Sequence, residues 1–138
     1  MLALLVGFIL AALLGIFHHG CLRGLDSMTG HDKSRPHATL MGVFVGLLAI
    51  HTLEILLFAV IYGALHEWLW LGRLTGEFSD SWEGLIYFSG INFVTLGYTE
   101  IKTEGPIRLV SMMQSLGGFG VLTWSATFIY SAWEKAFR

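Results

Sequence analysis

Three long stretches with almost no charge constrain this chain more than any other feature. Residues 1–17 and 109–133 contain no charged side chain, and residues 38–65 contain one, Glu54. A helix that crosses a bilayer needs about 20 apolar residues, with a range of about 17–25. The chain is 54% hydrophobic and 13% charged, whereas a soluble domain carries about 25% charged residues. The sequence therefore predicts an all-α membrane protein with three transmembrane helices.

Charge and cysteine content exclude several functions and covalent features. A net charge of −2 gives no reason to expect a nucleic-acid partner, and Cys21 is the only cysteine, so no intrachain disulfide can form. Residues 1–17 lack the positively charged start and the small-residue cleavage site of a secretory signal. We therefore expect them to be a retained, peripheral helix, followed by a cytoplasmic loop over residues 18–37.

A fourth apolar stretch is too short to cross a membrane. Residues 84–99 are uncharged but number only 16, and three glycines interrupt them. Asp80 and Glu83, just before this stretch, have the spacing of a capping box. In a capping box the side chain of the first residue accepts a hydrogen bond from the amide of the second, and the side chain of the second accepts one from the amide of the first. The pattern predicts a short helix over residues 81–94. In a membrane such a segment can only enter and return to the same side. Non-helical backbone at that depth is tolerated where it is buried in protein or lines a water-filled cavity.

The distribution of basic residues predicts the orientation. Residues 18–37 and the C-terminus together carry five lysines and arginines, whereas residues 66–106 carry two and Arg108 follows. Basic residues favour the cytoplasmic side. We therefore expect an integral protein of the plasma (inner) membrane with its N-terminus outside and its C-terminus cytoplasmic, and a short helix that enters from outside.

The predicted outer segment is acidic. Its acids either concentrate cations near the membrane or merely keep a loop soluble, and the sequence leaves both interpretations open. These acids are Glu67, Glu77, Asp80, Glu83, Glu100 and Glu104.

The short helix and the residues after it suggest how a cation would be held. The C-terminus of a helix carries about half a negative charge, and this one would point toward the membrane interior. Residues 95–98 would then return outward as extended chain and present successive carbonyl oxygens. One strand cannot enclose an ion, but several copies around an axis can replace its hydration shell with rings of oxygens.

These residues also carry a family resemblance. The string Thr95-Leu96-Gly97-Tyr98, followed by Thr99 and Glu100, resembles the filter motif of small prokaryotic potassium channels, T-V/L-G-Y-G and an acid. Similar matches cover residues 38–133. They are Tyr87-Phe88-Ser89 with Phe93-Val94-Thr95 in the pore helix, His51-Thr52-Leu53-Glu54 in the outer helix, and Gly117-Gly118-Phe119-Gly120 with Trp124-Ser125-Ala126-Thr127-Phe128 in the inner helix.

The resemblance implies a pore-forming subunit of a homotetrameric potassium-type cation channel with a re-entrant pore helix and a selectivity-filter loop. K⁺, or K⁺ together with Na⁺, would be the permeant ion, with no other cofactor and no small-molecule substrate. The implied segments are an outer helix at 38–65, an extracellular loop at 66–80, the pore helix, filter and outer mouth at 81–106, and the inner helix with the C-terminus at 107–138. The implied ion-binding residues are Thr95, Leu96, Gly97, Tyr98 and Thr99, with Glu100 at the outer mouth.

Thr99 departs from the family pattern, which has a second glycine there. Filter glycines adopt conformations that suit glycine, and a β-branched residue at positive φ is an outlier. We expect the outer part of the filter to relax, with weaker potassium selectivity or a wider or non-conducting mouth. A channel-like subunit that does not conduct and regulates another membrane protein is therefore an alternative.

Polar residues within the predicted outer helix have two interpretations. Glu54 lies near the bilayer centre, where an acid is costly and marks a functional site by default, and His51 is one turn away on the same face. The pair either titrates and tunes gating or is a hydrogen-bonded support behind the filter.

Other candidates are less specific. The glycines of the inner helix, Gly117, Gly118 and Gly120, would let it bend as a gate or pack closely. His18, His19, Cys21, His31 and His37 crowd the predicted first loop, but their spacing matches no zinc pattern. A membrane enzyme with a metal at His51, Glu54 and these histidines is a further alternative, although no catalytic spacing such as H-E-x-x-H is present.

Overall fold

Four helices and two short strands make up the described part of the fold. The structure is a computed structural model that describes residues 1–29, 34–66, 68, 70–78, 81–97 and 99–138. In chain order the elements are α1 (Leu2–Thr29), α2 (Pro36–His66), β1 (Arg73–Gly76), α3 (Trp82–Phe93), β2 (Ile101–Glu104) and α4 (Ile107–Phe137).

The three long helices pack side by side. Contacts between α1 and α4 advance in the same direction along both helices, from Gly7 beside Met113 to Asp26, whose carboxylate lies 3.5 Å from the Lys135 ammonium. These two helices are therefore parallel. Helix α2 runs antiparallel to both, because Leu25, near the end of α1, lies against Gly46, near the start of α2.

Helix α1 is longer than the sequence indicates. It continues through residues 18–29, which we expected to be loop. The apolar run ends before His18, but the helix keeps an apolar face beyond it. Leu22 is buried with Val43 and Leu47 of α2, and Leu25 packs against the same cluster. Burial of this face favours helix where hydropathy alone predicts a turn.

Each of the other predicted helical segments contains a helix. The segments 38–65, 81–94 and 107–138 overlap α2, α3 and α4. By length and composition, two of the described helices, α1 and α2, are apolar enough to cross a membrane. Helix α4 is as long as α2, at 31 residues, but it is more polar.

Two strands that the all-α prediction missed close the segment around α3. Strand β1 precedes α3, β2 follows it, and they pair antiparallel from Arg73 opposite Glu104 to Gly76 opposite Ile101. The buried Leu71 accepts a hydrogen bond of 2.6 Å from the amide of Ile107, the first residue of α4. The strands therefore hold together the two ends of the segment that contains α3.

Helix α3 rests on α4 at a glycine. Gly118 is buried against the last residue of α3, and a Cβ there would overlap the carbonyl oxygen of Phe93 and lie 3.0 Å from its carbonyl carbon. Gly117 lies against Ala11 of α1, whereas Gly120 has open space beside it. Close packing thus accounts for Gly117 and Gly118, and the role of any of these glycines as a gate stays a prediction.

We expect Gly118→Ala to destabilise the protein by about 1–3 kcal/mol, since the new methyl group meets backbone that cannot rotate away. The matched control is Gly120→Ala, which adds the same methyl group to the same helix in open space. Thermal unfolding of the two purified variants in detergent measures the difference. Equal melting temperatures would show that α3 does not rest on Gly118.

Candidate functional site

The candidate site is built around α3 and the residues that follow it. Ser81 caps the N-terminus of α3, where its hydroxyl accepts the amide hydrogen of Gly84 at 3.1 Å. The predicted cap, Asp80, lies outside the described residues. Helix α3 has 12 residues, so at 1.5 Å per residue it is about 18 Å long.

The C-terminus of α3 is closed by its own backbone. The amide of Thr95 bonds to the carbonyl of Asn92 at 3.0 Å, and the amide of Leu96 bonds to the carbonyl of Ile91 at 3.1 Å. This is the Schellman pattern, in which the residue after the C-cap is left-handed and usually glycine. Here that residue is Thr95, with φ at 56°. A β-branched residue in this region costs about 1–3 kcal/mol.

The predicted filter residues follow this turn. Leu96 is 64% exposed and Gly97, at φ 67°, is also exposed, while Tyr98 lies outside the described residues. Thr99 is half-buried, and its hydroxyl accepts the amide hydrogen of Ile101 at 3.1 Å. A left-handed threonine is present at Thr95, a position at which the family pattern gave no reason to expect strain.

Acidic residues surround an open cavity beside the filter segment. The cavity has a volume of about 470 Å³, and its lining includes Glu77, Glu83, Tyr87, Thr99 and Glu100. A hydrogen bond to the carboxylate of Glu100, together with its negative charge, raises the pKa of Glu77 above its usual value. The residue after β1 and the residue before β2 therefore interact through their carboxyl groups.

A polar network that the sequence did not reveal lies behind α3. The hydroxyl of Tyr62 donates to the side-chain oxygen of Gln114 at 2.7 Å, and the amide nitrogen of Gln114 donates to the hydroxyl and carbonyl of Ser89 at 3.0 and 3.1 Å. All three residues are buried. Since each comes from a different helix, the network ties α3 to both α2 and α4.

A second buried cluster lies among α1, α2 and α4. The carboxylate of Glu54 contacts Nδ1 of His51 at 2.9 Å, as the i, i+3 spacing predicts, and Nδ1 of His18 at 2.8 Å. Nε2 of His18 lies 3.2 Å from the Ser125 hydroxyl. The sequence placed His18 in a loop, and no local pattern pairs it with Glu54, 36 residues later.

Among the other predicted loop candidates that the structure describes, neither His19 nor His37 belongs to this cluster. His19 and His37 are exposed, and His31 lies outside the described residues. Ligand atoms of His18, His51 and Glu54 lie within 4.8 Å of one another, so these three residues could hold a metal ion. The cluster also reaches α3, because the His51 ring lies 5.6 Å from that of Phe93 at the end of this helix.

Glu77 should remain protonated to a higher pH than an ordinary glutamate, and its contact with Glu100 should weaken as the pH rises through this raised pKa. A ¹³C NMR titration of the carboxyl groups measures it directly. Glu100→Gln removes the negative charge that helps to raise the pKa of Glu77, so that pKa should fall toward its usual value. Glu104→Gln, at the far end of β2, should leave the pKa of Glu77 raised. A pKa of Glu77 that is unchanged in Glu100→Gln would contradict this assignment.

Comparison with known proteins agrees with this geometry. A protein-family model described as "Ion channel" matches residues 37–135, which include α2, α3 and nearly all of α4. No curated protein and no solved structure matches the chain. The family model covers well over half of the chain, so the protein belongs to the ion channel family built from two membrane helices and a pore loop.

Proposed function

We propose that this chain is the pore-forming subunit of a homotetrameric potassium-type cation channel in the plasma membrane. The observation that carries the proposal is a short helix, α3, placed between two long helices in a chain of the ion channel family and followed by the uncovered residues 95–97. The family favours transport over catalysis.

The length of α3 supports a re-entrant position. About 18 Å of helix is well short of the hydrocarbon core, which is about 30 Å thick. The helix enters from the outer side, and its C-terminus, at Phe93, reaches the middle of the membrane. The partial negative charge of that end favours a cation on the axis.

The polarity of α4 supports a role as the pore-lining helix. Several residues along one side of α4 are exposed in the single chain, and this side carries hydroxyl groups as well as apolar groups. Copies of the chain would cover part of this stripe and leave the rest facing water. The stripe contains Met112, Leu116, Phe119, Thr123, Thr127 and Tyr130.

The helix directions support three crossings. Helices α1 and α4 are parallel and α2 is antiparallel to both, which is the arrangement of three successive spans. The distribution of basic residues then favours an outer N-terminus and a cytoplasmic C-terminus. Helix α1 packs on α4 and presents exposed apolar side chains such as Phe8 and Ile16 to lipid.

In the tetramer, the filter comprises residues 95–99. Carbonyl oxygens of Thr95, Leu96, Gly97 and Tyr98 and the Thr95 hydroxyl replace the hydration shell of K⁺, or of K⁺ and Na⁺. Glu100 and the acids of the outer cavity raise the cation concentration at the mouth.

A non-conducting, channel-like subunit is the second candidate. It is favoured by the left-handed Thr95, which ends α3 in a turn where a fully extended filter would begin, and by the threonine at position 99. Such a subunit would assemble in the membrane and regulate another protein.

Ion flux through the purified protein in liposomes separates these two candidates. We expect K⁺ flux above Na⁺ flux when each gradient is applied in turn. The control is Gly97→Val, which replaces a glycine at φ 67° with a β-branched residue. It should abolish the flux and leave the four helices unchanged. Absence of flux from a folded tetramer, or an equal leak through Gly97→Val, would overturn the conducting candidate.

Replacement of Thr99 tests what limits selectivity. Thr99→Gly restores the backbone freedom of the family motif, and we expect it to sharpen K⁺-over-Na⁺ permeability in reversal-potential measurements. Thr99→Ser is the matched control, since it keeps a hydroxyl for the amide of Ile101 without the freedom of glycine. A reversal potential in Thr99→Gly identical to that of the unaltered protein would exclude Thr99 as the cause.

A further inference from the structure

The buried cluster of His18, His51 and Glu54 has the composition of a metal site. Two imidazoles and one carboxylate offer three ligand atoms within 4.8 Å of one another. This is the donor set of zinc sites with two histidines and a glutamate, which leave a further position open. We propose that the cluster binds one divalent transition-metal ion of the Zn²⁺ class, at the junction of α1, α2 and α4.

The types of ligand atom determine which class of metal ion the site prefers. Imidazole suits zinc and the later first-row metals, whereas Ca²⁺ and Mg²⁺ take oxygen ligands. A single carboxylate with two histidines therefore favours Zn²⁺ or Co²⁺ over the alkaline-earth ions.

The present geometry is close to what an ion requires. The Nδ1 atoms lie 2.8 and 2.9 Å from the two Glu54 oxygens, whereas neighbouring ligands in a tetrahedral zinc site are about 3.3 Å apart, given bonds of about 2.0–2.1 Å. The two contacts to Glu54 would widen by about half an ångström on binding, and the ligand atoms of the two imidazoles lie within 4.8 Å of each other. Each of the two contacts needs its own hydrogen, so a metal on both Nδ1 atoms would require the neutral imidazoles to carry their hydrogens on Nε2. Any proton held in excess of this would be released on binding.

The surroundings orient the ligands. The second nitrogen of His18 lies 3.2 Å from the Ser125 hydroxyl, a contact of the kind that fixes ring orientation in metal sites. The imidazole rings of His18 and His51 are stacked, with 10° between their planes. His18 and Glu54 are completely buried and the His51 side chain is 14% exposed, so an ion would enter past His51.

An ion here would join parts of the chain that meet only through tertiary packing. His18 belongs to α1, and the other two ligands belong to α2. Because His51 also contacts Phe93, the bound ion would fix α1 next to the inner end of α3. The proposal rests on these contacts alone and holds whether or not the protein conducts.

Co²⁺ binding to the full chain, purified in detergent without a polyhistidine tag, tests the proposal. We expect visible absorption bands of a nitrogen- and oxygen-ligated Co²⁺ that saturate at one ion per chain, and Zn²⁺ should displace them. His18→Gln and Glu54→Gln should each lower the affinity by at least about tenfold. The matched control is His19→Gln, which removes the adjacent, exposed histidine and should bind as the unaltered protein does.

Two results would overturn the metal site. One is unaltered protein that gives no saturable Co²⁺ spectrum and whose melting temperature does not rise with Zn²⁺. The other is folded His18→Gln that binds Co²⁺ as tightly as His19→Gln. If Glu54→Gln does not fold, the titration of the unaltered protein and the comparison of the two histidine variants still decide the question.

Discussion

A helix of 12 residues cannot cross a bilayer, and the rest of this structure is arranged to hold one in place. Its amide end is capped by Ser81 and its carbonyl end is closed by the amides of Thr95 and Leu96. Phe93 sits directly on the buried Gly118 of α4, and β1 and β2 close the segment from outside. Each contact satisfies or covers backbone that lipid could not solvate. These contacts fix the position of the residues that follow α3, which are the proposed filter.

Much of the fold could be predicted because its signals are local. Long apolar runs with at most one charged residue mark α2 and α4, and a polar start followed by an apolar run too short to span marks α3. The strands could not be predicted, since Arg73–Gly76 and Ile101–Glu104 are each four residues long and gain their order only from pairing across α3. The extra turns of α1 were missed for a similar reason: the apolar side chains of residues 18–29 are covered only when α2 is present.

The candidate site was predicted less completely. The motif marks residues 95–99 and Glu100 as the expected filter and outer mouth, which stays a prediction, whereas the spacing of His51 and Glu54 correctly predicted their contact. His18 was missed because its partner is distant in sequence and its neighbours resemble a membrane-surface loop. Strain was expected at Thr99 by analogy with a glycine. The left-handed backbone of Thr95 was not expected, and the geometry of the helix end accounts for it. A sequence motif marks candidate functional residues, but it does not determine their backbone dihedral angles.

The central claim is that several copies of this chain place residues 95–99 around one axis. Cryo-electron microscopy of the protein in lipid nanodiscs with KCl tests it most directly. Our account predicts four copies with α4 and the filter segment facing a central axis, α1 toward lipid, and ion density beside the carbonyls of Thr95, Leu96 and Gly97. A single chain, a dimer, or a tetramer in which residues 95–99 face lipid would contradict it.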